Sequence, residues 1–125
     1  MIAKDLNDLR QLLTLFSAEL HANSRAKGWW DDRDELSKTP AGHVAVDIGC
    51  LALAGTELAE AIEATRVPCQ DDHIPFYAGQ EAEVADAIIR LLDFAAARNL
   101  KVVDAMIAKA AYNTTRSKMH GGKLA

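Results

Sequence analysis

Two pairs of acidic residues are the groups in this chain whose spacing points most directly to chemistry. Glu57 and Glu60 form one pair, Glu83 and Asp86 form the other, and two residues separate the members of each. Residues three apart on a helix lie about 60° apart around its axis, so each pair directs two carboxylates the same way. Four converging acids repel one another unless a cation lies among them. All-oxygen ligation favours Mg²⁺ or Mn²⁺ over Zn²⁺ or copper, so the pattern predicts a magnesium site.

Chance is the competing explanation, because acids three apart are common on exposed helix faces. The residues inside the pairs argue against it, since they are apolar: Leu58 and Ala59 in the first, Val84 and Ala85 in the second. A di-iron helical bundle is the rival metal site and requires Glu-x-x-His. No glutamate in the chain has a histidine three positions later, which disfavours that rival.

Two adjacent tryptophans, Trp29 and Trp30, follow Gly28 in a polar segment. Either ring offers a stacking face for a nucleobase. We expect one of the two to anchor the segment in the core instead, and the sequence leaves open which one.

A third set of residues lies near the C-terminus, where Lys109, Asn113 and Arg116 share one stripe of a predicted helix. Such side chains supply the cations and donors that a triphosphate needs. The alternative is a solvated last turn favoured by the helix dipole.

Composition narrows the classes of protein that remain. The chain has 125 residues, of which 50% are hydrophobic but only 6% are aromatic, as is typical of a single helical domain. A net charge of −4 disfavours duplex nucleic acid as a partner. The start of the chain does not resemble a signal peptide, no stretch is long enough to span a bilayer, and Cys50 and Cys69 form no motif. We therefore expect a cytoplasmic protein.

Hydrophobic periodicity predicts four main helices, at residues 5–20, 43–66, 80–98 and 101–116, with a loop or broken helix at 26–42. Residues 44–55 are apolar nearly all round, which predicts burial on several sides. We therefore expect a homodimer or homotetramer. Such packing could bring Lys109 of one chain to the carboxylates of another. We also expect Arg90 to pair with Asp86 or Asp93, and Asp93 to hold Lys109.

The acid pairs lie within a wider pattern that resembles the MazG-like branch of the all-α nucleoside triphosphate pyrophosphohydrolases. The resemblance covers about residues 20–123, nearly the whole chain, and one departure is Thr56 where serine is commoner. The segments that carry it are Lys-Gly-Trp-Trp-Asp at 27–31, Thr-Glu-Leu-Ala-Glu-Ala at 56–61, 85–93, 109–116 and His-Gly-Gly-Lys at 120–123.

This resemblance implies one domain over residues 1–125, an all-α four-helix bundle of the MazG-like type, oligomerised through its helices. It also implies Mg²⁺-dependent hydrolysis of a nucleoside triphosphate at the α–β bond to a monophosphate and pyrophosphate. Glu57, Glu60, Glu83 and Asp86 would hold the metal, with Glu57 or Glu60 as the general base. Substrate-binding residues would be Trp29, Trp30, Lys109, Asn113 and Arg116, and His120 would close over the phosphates. Two alternatives stay open: a non-catalytic helical module that binds a nucleotide or a partner, or a pyrophosphohydrolase restricted to dUTP or phosphoribosyl-ATP.

Overall fold

Every regular element of residues 1–117, the part of the chain that the computed structural model describes, is an α-helix. An isolated β-bridge joins Gln70 to Ala78 in the loop that precedes α4. Each helix within these residues is too short or too polar to span a bilayer. The five helices are α1 (Ala3–Ala26), α2 (Asp31–Leu36), α3 (Pro40–Arg66), α4 (Gly79–Ala97) and α5 (Val102–Asn113).

The all-helical prediction is therefore confirmed, with differences at several helix ends. The first helix, predicted over residues 5–20, begins at Ala3 and continues to Ala26, and the last, predicted over 101–116, ends at Asn113. Residues 26–42, predicted as loop or broken helix, contain the six-residue α2. His120 and the other residues of the C-terminal Gly-rich motif lie outside the described residues.

Local sequence signals explain where the long helices begin and end. At the start of α3, Thr39 Oγ1 accepts a hydrogen bond from the backbone N–H of Gly42 at 3.0 Å, and Pro40 occupies the first turn. The helix ends at Arg66, just before Val67 and Pro68, because a residue that precedes proline disfavours the helical conformation. Beyond α4, Asn99 adopts a left-handed conformation with φ of 52°, which ends that helix.

The central element is α4, which packs against α3 on one side and α1 on another. Ser17 of α1 donates a hydrogen bond to the backbone carbonyl of Leu92 at 2.6 Å. On the opposite side, Arg98, just past α4, donates to Asp47 of α3 at 2.7 Å. α5 packs on α1, and the six-residue α2 packs on α3, so α3 is the last long helix on its side of the array.

Candidate metal centre

Three of the four predicted carboxylates come together between α3 and α4. Glu57, Glu60 and Glu83 each offer an oxygen, and the three oxygens lie within 4.8 Å of one another. Glu57 is buried, Glu83 is half-buried and Glu60 is exposed, so the group lies at the edge of the helix interface. Within residues 1–117, no other set of three acidic, histidine or cysteine side chains is placed this closely. The donors are all carboxylate oxygens, the ligand type that suits Mg²⁺ and Mn²⁺.

Asp86 lies on α4 one turn beyond Glu83 and is exposed. It does not belong to the compact group of three. Desolvation and the nearby charge of Glu57 still raise the pKa of Asp86, even though Arg90 opposes the shift. The negative charge of Glu57 therefore affects Asp86, although Asp86 is not one of the three carboxylates that lie together.

The group contains its own counter-charge. Arg90 Nε donates a hydrogen bond to Glu57 Oε1 at 2.8 Å, instead of pairing with Asp86 or Asp93 as predicted. Burial disfavours the charged form of Glu57, but the hydrogen bonds from Arg90, Glu83 and Glu60 and the charge of Arg90 together outweigh burial and lower the pKa of Glu57. Glu57 is thus an ionised carboxylate held by a cation on the neighbouring helix.

Glu83 experiences the opposite effect. Desolvation, together with the hydrogen bonds and negative charges of Glu57 and Glu60, raises the pKa of Glu83 from 4.5 to about 7. A carboxyl group with this pKa shares a proton with its neighbours near neutral pH. A divalent cation would displace that proton by relieving the same repulsion. The close placement of the three carboxylates and the raised pKa of Glu83 are the observations on which the fit to a metal ion depends.

A cleft of about 420 Å³ adjoins the carboxylates. Glu60 and Glu83 form part of its wall, and the loop between α3 and α4 contributes Cys69, Gln70 and Asp71. Volumes of about 300–1,000 Å³ are typical of small-molecule sites. The cleft is therefore large enough for a nucleotide fragment beside the acids.

The two tryptophans occupy different environments. Trp30 is 1% exposed and belongs to the core cluster with Val46, Cys50 and Phe94, whereas Trp29 is 61% exposed. Trp30 is therefore the core anchor that the sequence left unassigned, and its burial leaves no free stacking face in this conformation. Trp29 is the ring accessible to a ligand.

Two of the predicted phosphate-binding residues, Lys109 and Asn113, lie on α5, and Arg116 follows the end of that helix. α5 packs on α1 and not at the α3–α4 interface that carries the acids. The ammonium of Lys109 lies 5.1 Å, and the guanidinium of Arg116 6.0 Å, from the centre of the Tyr112 ring. Lys109, Asn113 and Arg116 are exposed. Among residues 1–117, no ion pair connects Lys109 or Arg116 to the carboxylates.

Sequence reasoning missed a polar network around Asp93. Its carboxylate accepts hydrogen bonds from His21 Nδ1 at 2.6 Å, Ser24 Oγ at 2.8 Å and Trp30 Nε1 at 3.1 Å. Arg25 Nε donates to His21 Nε2 at 2.7 Å, which leaves the proton of a neutral imidazole on Nδ1. Asp93 is thus bound by α1 and Trp30, and the expected Lys109 contact is not among its partners. A polar Asp93 beside the apolar Leu92 and Phe94 was the available signal.

Comparisons of the chain with protein-family models, curated proteins and solved structures found no match. The MazG-like resemblance therefore stays a prediction.

Proposed function

We propose that this protein is a Mg²⁺-dependent nucleotide pyrophosphohydrolase of the MazG-like type, acting at the α–β bond of a nucleoside triphosphate. The observation that carries the proposal is the compact group of carboxylates of Glu57, Glu60 and Glu83, whose oxygens lie within 4.8 Å of one another. Desolvation, together with the hydrogen bonds and charges of its two neighbours, raises the pKa of Glu83 there to about 7. Arg90 pairs with Glu57 alone, so in the described part of the chain the charges of Glu60 and Glu83 are offset by no basic residue, and a cation among the three carboxylates would relieve their repulsion.

In this proposal Glu57, Glu60 and Glu83 hold the metal, and Asp86 contributes from the next turn of α4. Bound Mg²⁺ would neutralise phosphate charge and lower the pKa of a water molecule. Glu60 is the preferred general base, because Glu57 is already paired with Arg90, while Glu60 is exposed and has no ion-pair partner within residues 1–117. Exposed Trp29 is the candidate for stacking on the base.

Phosphate binding by Lys109, Asn113 and Arg116 belongs to the same proposal. In the single chain, however, these side chains lie on or just after α5, which packs on α1 and not at the α3–α4 interface that carries the carboxylates. Either a partner subunit or a movement of α5 would bring these side chains to the carboxylates. Assembly as a homodimer or homotetramer through the helices is likewise proposed.

The test is a panel of nucleoside triphosphates with Mg²⁺, in which pyrophosphate and orthophosphate are measured separately. Pyrophosphate and a nucleoside monophosphate are expected as direct products. Glu60→Gln and Asp86→Asn should lose activity by at least about 100-fold, as is usual for groups that act in general base catalysis or metal binding. Glu35→Gln is the matched control, since Glu35 lies on α2, does not line the cleft beside the carboxylates and pairs with Lys38 at the surface.

Three results would contradict the proposal. Orthophosphate and a diphosphate as direct products would indicate attack at the γ-phosphorus. Full activity in both Glu60→Gln and Asp86→Asn would place the site elsewhere. Nucleotide binding without turnover of any triphosphate, dUTP or phosphoribosyl-ATP would favour the non-catalytic module.

A further inference from the structure

Arg33 of α2 is a half-buried cation whose side chain has no polar partner in the described part of the chain. Its guanidinium lies over the ring of Trp30, 4.9 Å from the ring centre. No ion pair within residues 1–117 includes Arg33. The arginines whose side chains donate hydrogen bonds in the same range are Arg10, Arg25, Arg66, Arg90 and Arg98. The N–H donors of Arg33 are therefore unused by the described residues.

The indole of Trp30 gives the Arg33 side chain a fixed position. Trp30 is buried in the core, and its Nε1 donates a hydrogen bond to Asp93 at 3.1 Å, so the ring itself is anchored. A cation over an aromatic face is attracted by the π electrons, while the N–H groups at the edge of the planar guanidinium stay available. The contact thus positions the charge of Arg33 without occupying its donors.

Trp30 has two other arginine neighbours, which differ from Arg33 in being paired. Arg25 and Arg98 lie 5.8 and 5.9 Å from the ring centre and donate hydrogen bonds to aspartates of α2 and α3 at 2.6 and 2.7 Å. The Asp93 carboxylate accepts its hydrogen bonds from α1 and Trp30. Among the described residues, Arg33 is thus the arginine of this cluster without an acidic partner. Its charge is open to an anion from outside the chain.

Arg33 and Arg90 line the same small cavity between α2, α3 and α4. Its volume of about 20 Å³ is enough for one oxygen-sized atom. Arg90 binds Glu57 through Nε, and its terminal NH₂ groups donate to none of residues 1–117. Guanidinium groups with unused donors beside one cavity are suited to the oxygens of a phosphate.

This cavity and the larger cleft lie on opposite sides of the carboxylates. Along α3, Leu53 lines the cavity, Glu57 follows one turn later, and Glu60 lines the cleft. Along α4, Glu83 lines the cleft and Arg90 lines the cavity. The candidate metal centre therefore lies between the cleft and the two arginines. A triphosphate with its α-phosphate at the metal can direct its remaining phosphates towards these arginines.

We propose that Arg33, with the terminal NH₂ groups of Arg90, binds the pyrophosphate portion of the nucleotide. The identity of this anion rests on the proposed function, in which water attacks the α-phosphorus and loses its proton to Glu60. The bond between the α-phosphorus and the bridging oxygen breaks, and its electron pair stays on pyrophosphate. Cations beside the leaving group stabilise the charge that it gains. One chain then supplies phosphate contacts of its own, in addition to the proposed contribution of α5.

A nucleobase is the other part of a nucleotide whose acceptors could engage a guanidinium. The cavity of about 20 Å³ is too small for a ring, and the buried Trp30 has no open face on which a base could stack. A neutral base would also leave the charge of Arg33 uncompensated, whereas phosphate oxygens are negatively charged. Size and charge therefore both favour a phosphate group.

Isothermal titration calorimetry with inorganic pyrophosphate tests the site without any hydrolysis. The protein is stripped of metal with a chelating resin and titrated in a low-salt buffer, because salt screens charge contacts. Saturable binding is expected. Arg33→Gln should raise the dissociation constant of pyrophosphate by at least about 10-fold, since charge-assisted hydrogen bonds are lost. Arg33→Lys should restore only part of the affinity, because an ammonium group lacks the planar fork of donors.

Arg10→Gln is the matched control, because Arg10 lies on α1 and pairs with Asp104 at the surface. It removes the same charge and should change the dissociation constant by less than about 2-fold. Absence of saturable binding by the wild-type protein, or equal effects of Arg33→Gln and Arg10→Gln, would overturn the proposal. Binding of an unphosphorylated nucleoside that depends on Arg33 would also overturn it, by assigning Arg33 to the base.

Kinetics with Mg²⁺ separate this proposal from the proposed function. Arg33→Gln should raise the KM for the triphosphate and the inhibition constant of pyrophosphate, each by at least about 10-fold. A protein that binds pyrophosphate through Arg33 but hydrolyses no nucleotide would contradict the proposed function and retain the anion site. Hydrolysis by Arg33→Gln with the wild-type inhibition constant would reject the anion site and retain the proposed function.

Discussion

Arg90 and Glu57 face each other across the α3–α4 interface, with 2.8 Å between the guanidinium Nε and the carboxylate Oε1. The buried acid of the candidate metal centre is thus neutralised by a residue one helical turn beyond Asp86. A cation that enters the centre shares Glu57 with this guanidinium. Arg90 is therefore expected to stabilise the metal-free fold and, under the proposed function, to weaken cation binding.

Replacing Arg90 separates these two effects. Arg90→Gln should lower the free energy of unfolding without metal by about 2 kcal/mol, the typical value of a hydrogen bond to a charged group. The increase in Tm on adding Mg²⁺ should become larger, because the carboxylates lose their internal cation. Thermal unfolding with EDTA and with Mg²⁺ measures both. Arg66→Gln is the control, since Arg66 pairs with exposed Glu63, and should change stability by less than about 1 kcal/mol. An unchanged Mg²⁺ effect in Arg90→Gln would show that Arg90 does not compete with the cation.

The raised pKa of Glu83 predicts the pH dependence of the metal-free protein. Its value of about 7 lies above the ordinary 4.5, so the folded state holds the proton more tightly than the unfolded state. The stability associated with this proton is complete below pH 4.5 and is lost as the pH rises through 7. Glu83→Gln should remove this loss and raise Tm at pH 8 in EDTA by roughly 4 °C, the shift that corresponds to about 1 kcal/mol.

The pH dependence of stabilisation by Mg²⁺ distinguishes a local effect at Glu83 from general repulsion between surface charges. Mg²⁺ should stabilise the wild-type protein more at pH 8 than at pH 5.5, because the ion must displace the Glu83 proton. Glu83→Gln should lose most of this stabilisation, whereas Glu35→Gln, which alters an exposed surface pair on α2, should retain it. Equal Mg²⁺ effects in the two variants would indicate that the ion binds elsewhere or only diffusely.

The different burial of the two tryptophans predicts which one reports ligand binding. An α,β-methylene nucleotide analogue, which cannot be cleaved at that bond, should quench the fluorescence of Trp29, since this ring is accessible for stacking. Trp30→Phe should therefore keep the quenching, and Trp29→Leu should lose it. The reverse pattern would mean that the Trp30 pocket opens to bind the base.

Asp93 is predicted to matter for stability and not for metal binding. Asp93→Asn removes the negative charge that three donors share, and should lower the free energy of unfolding by about 3 kcal/mol. Asp104→Asn is the control, because Asp104 forms only a half-exposed pair with Arg10, and should cost less than about 1 kcal/mol. Urea unfolding provides the comparison. Loss of the Mg²⁺ effect on Tm in folded Asp93→Asn would assign Asp93 to the metal centre instead.

Sequence periodicity was sufficient to predict the helical class and the meeting of Glu57 and Glu60 with Glu83. Spacings of three residues determine which side chains share a helix face, and the loop between α3 and α4 returns the chain antiparallel, so the acid pairs fall at similar heights. The apolar character of residues 44–55 likewise predicted a helix that needs partners on several sides.

Only the tertiary structure determined which residues each helix face contacts. Asp93 accepts a hydrogen bond from His21, which lies 72 positions earlier in the chain. Arg90 pairs with Glu57 and not with Asp86 or Asp93, which are nearer to it in sequence. Burial of Trp30 rather than Trp29, and the edge position of α3, are also products of packing between distant helices. Periodicity specifies the direction in which a side chain leaves its own helix, but the partner in that direction depends on contacts between segments that are far apart in sequence.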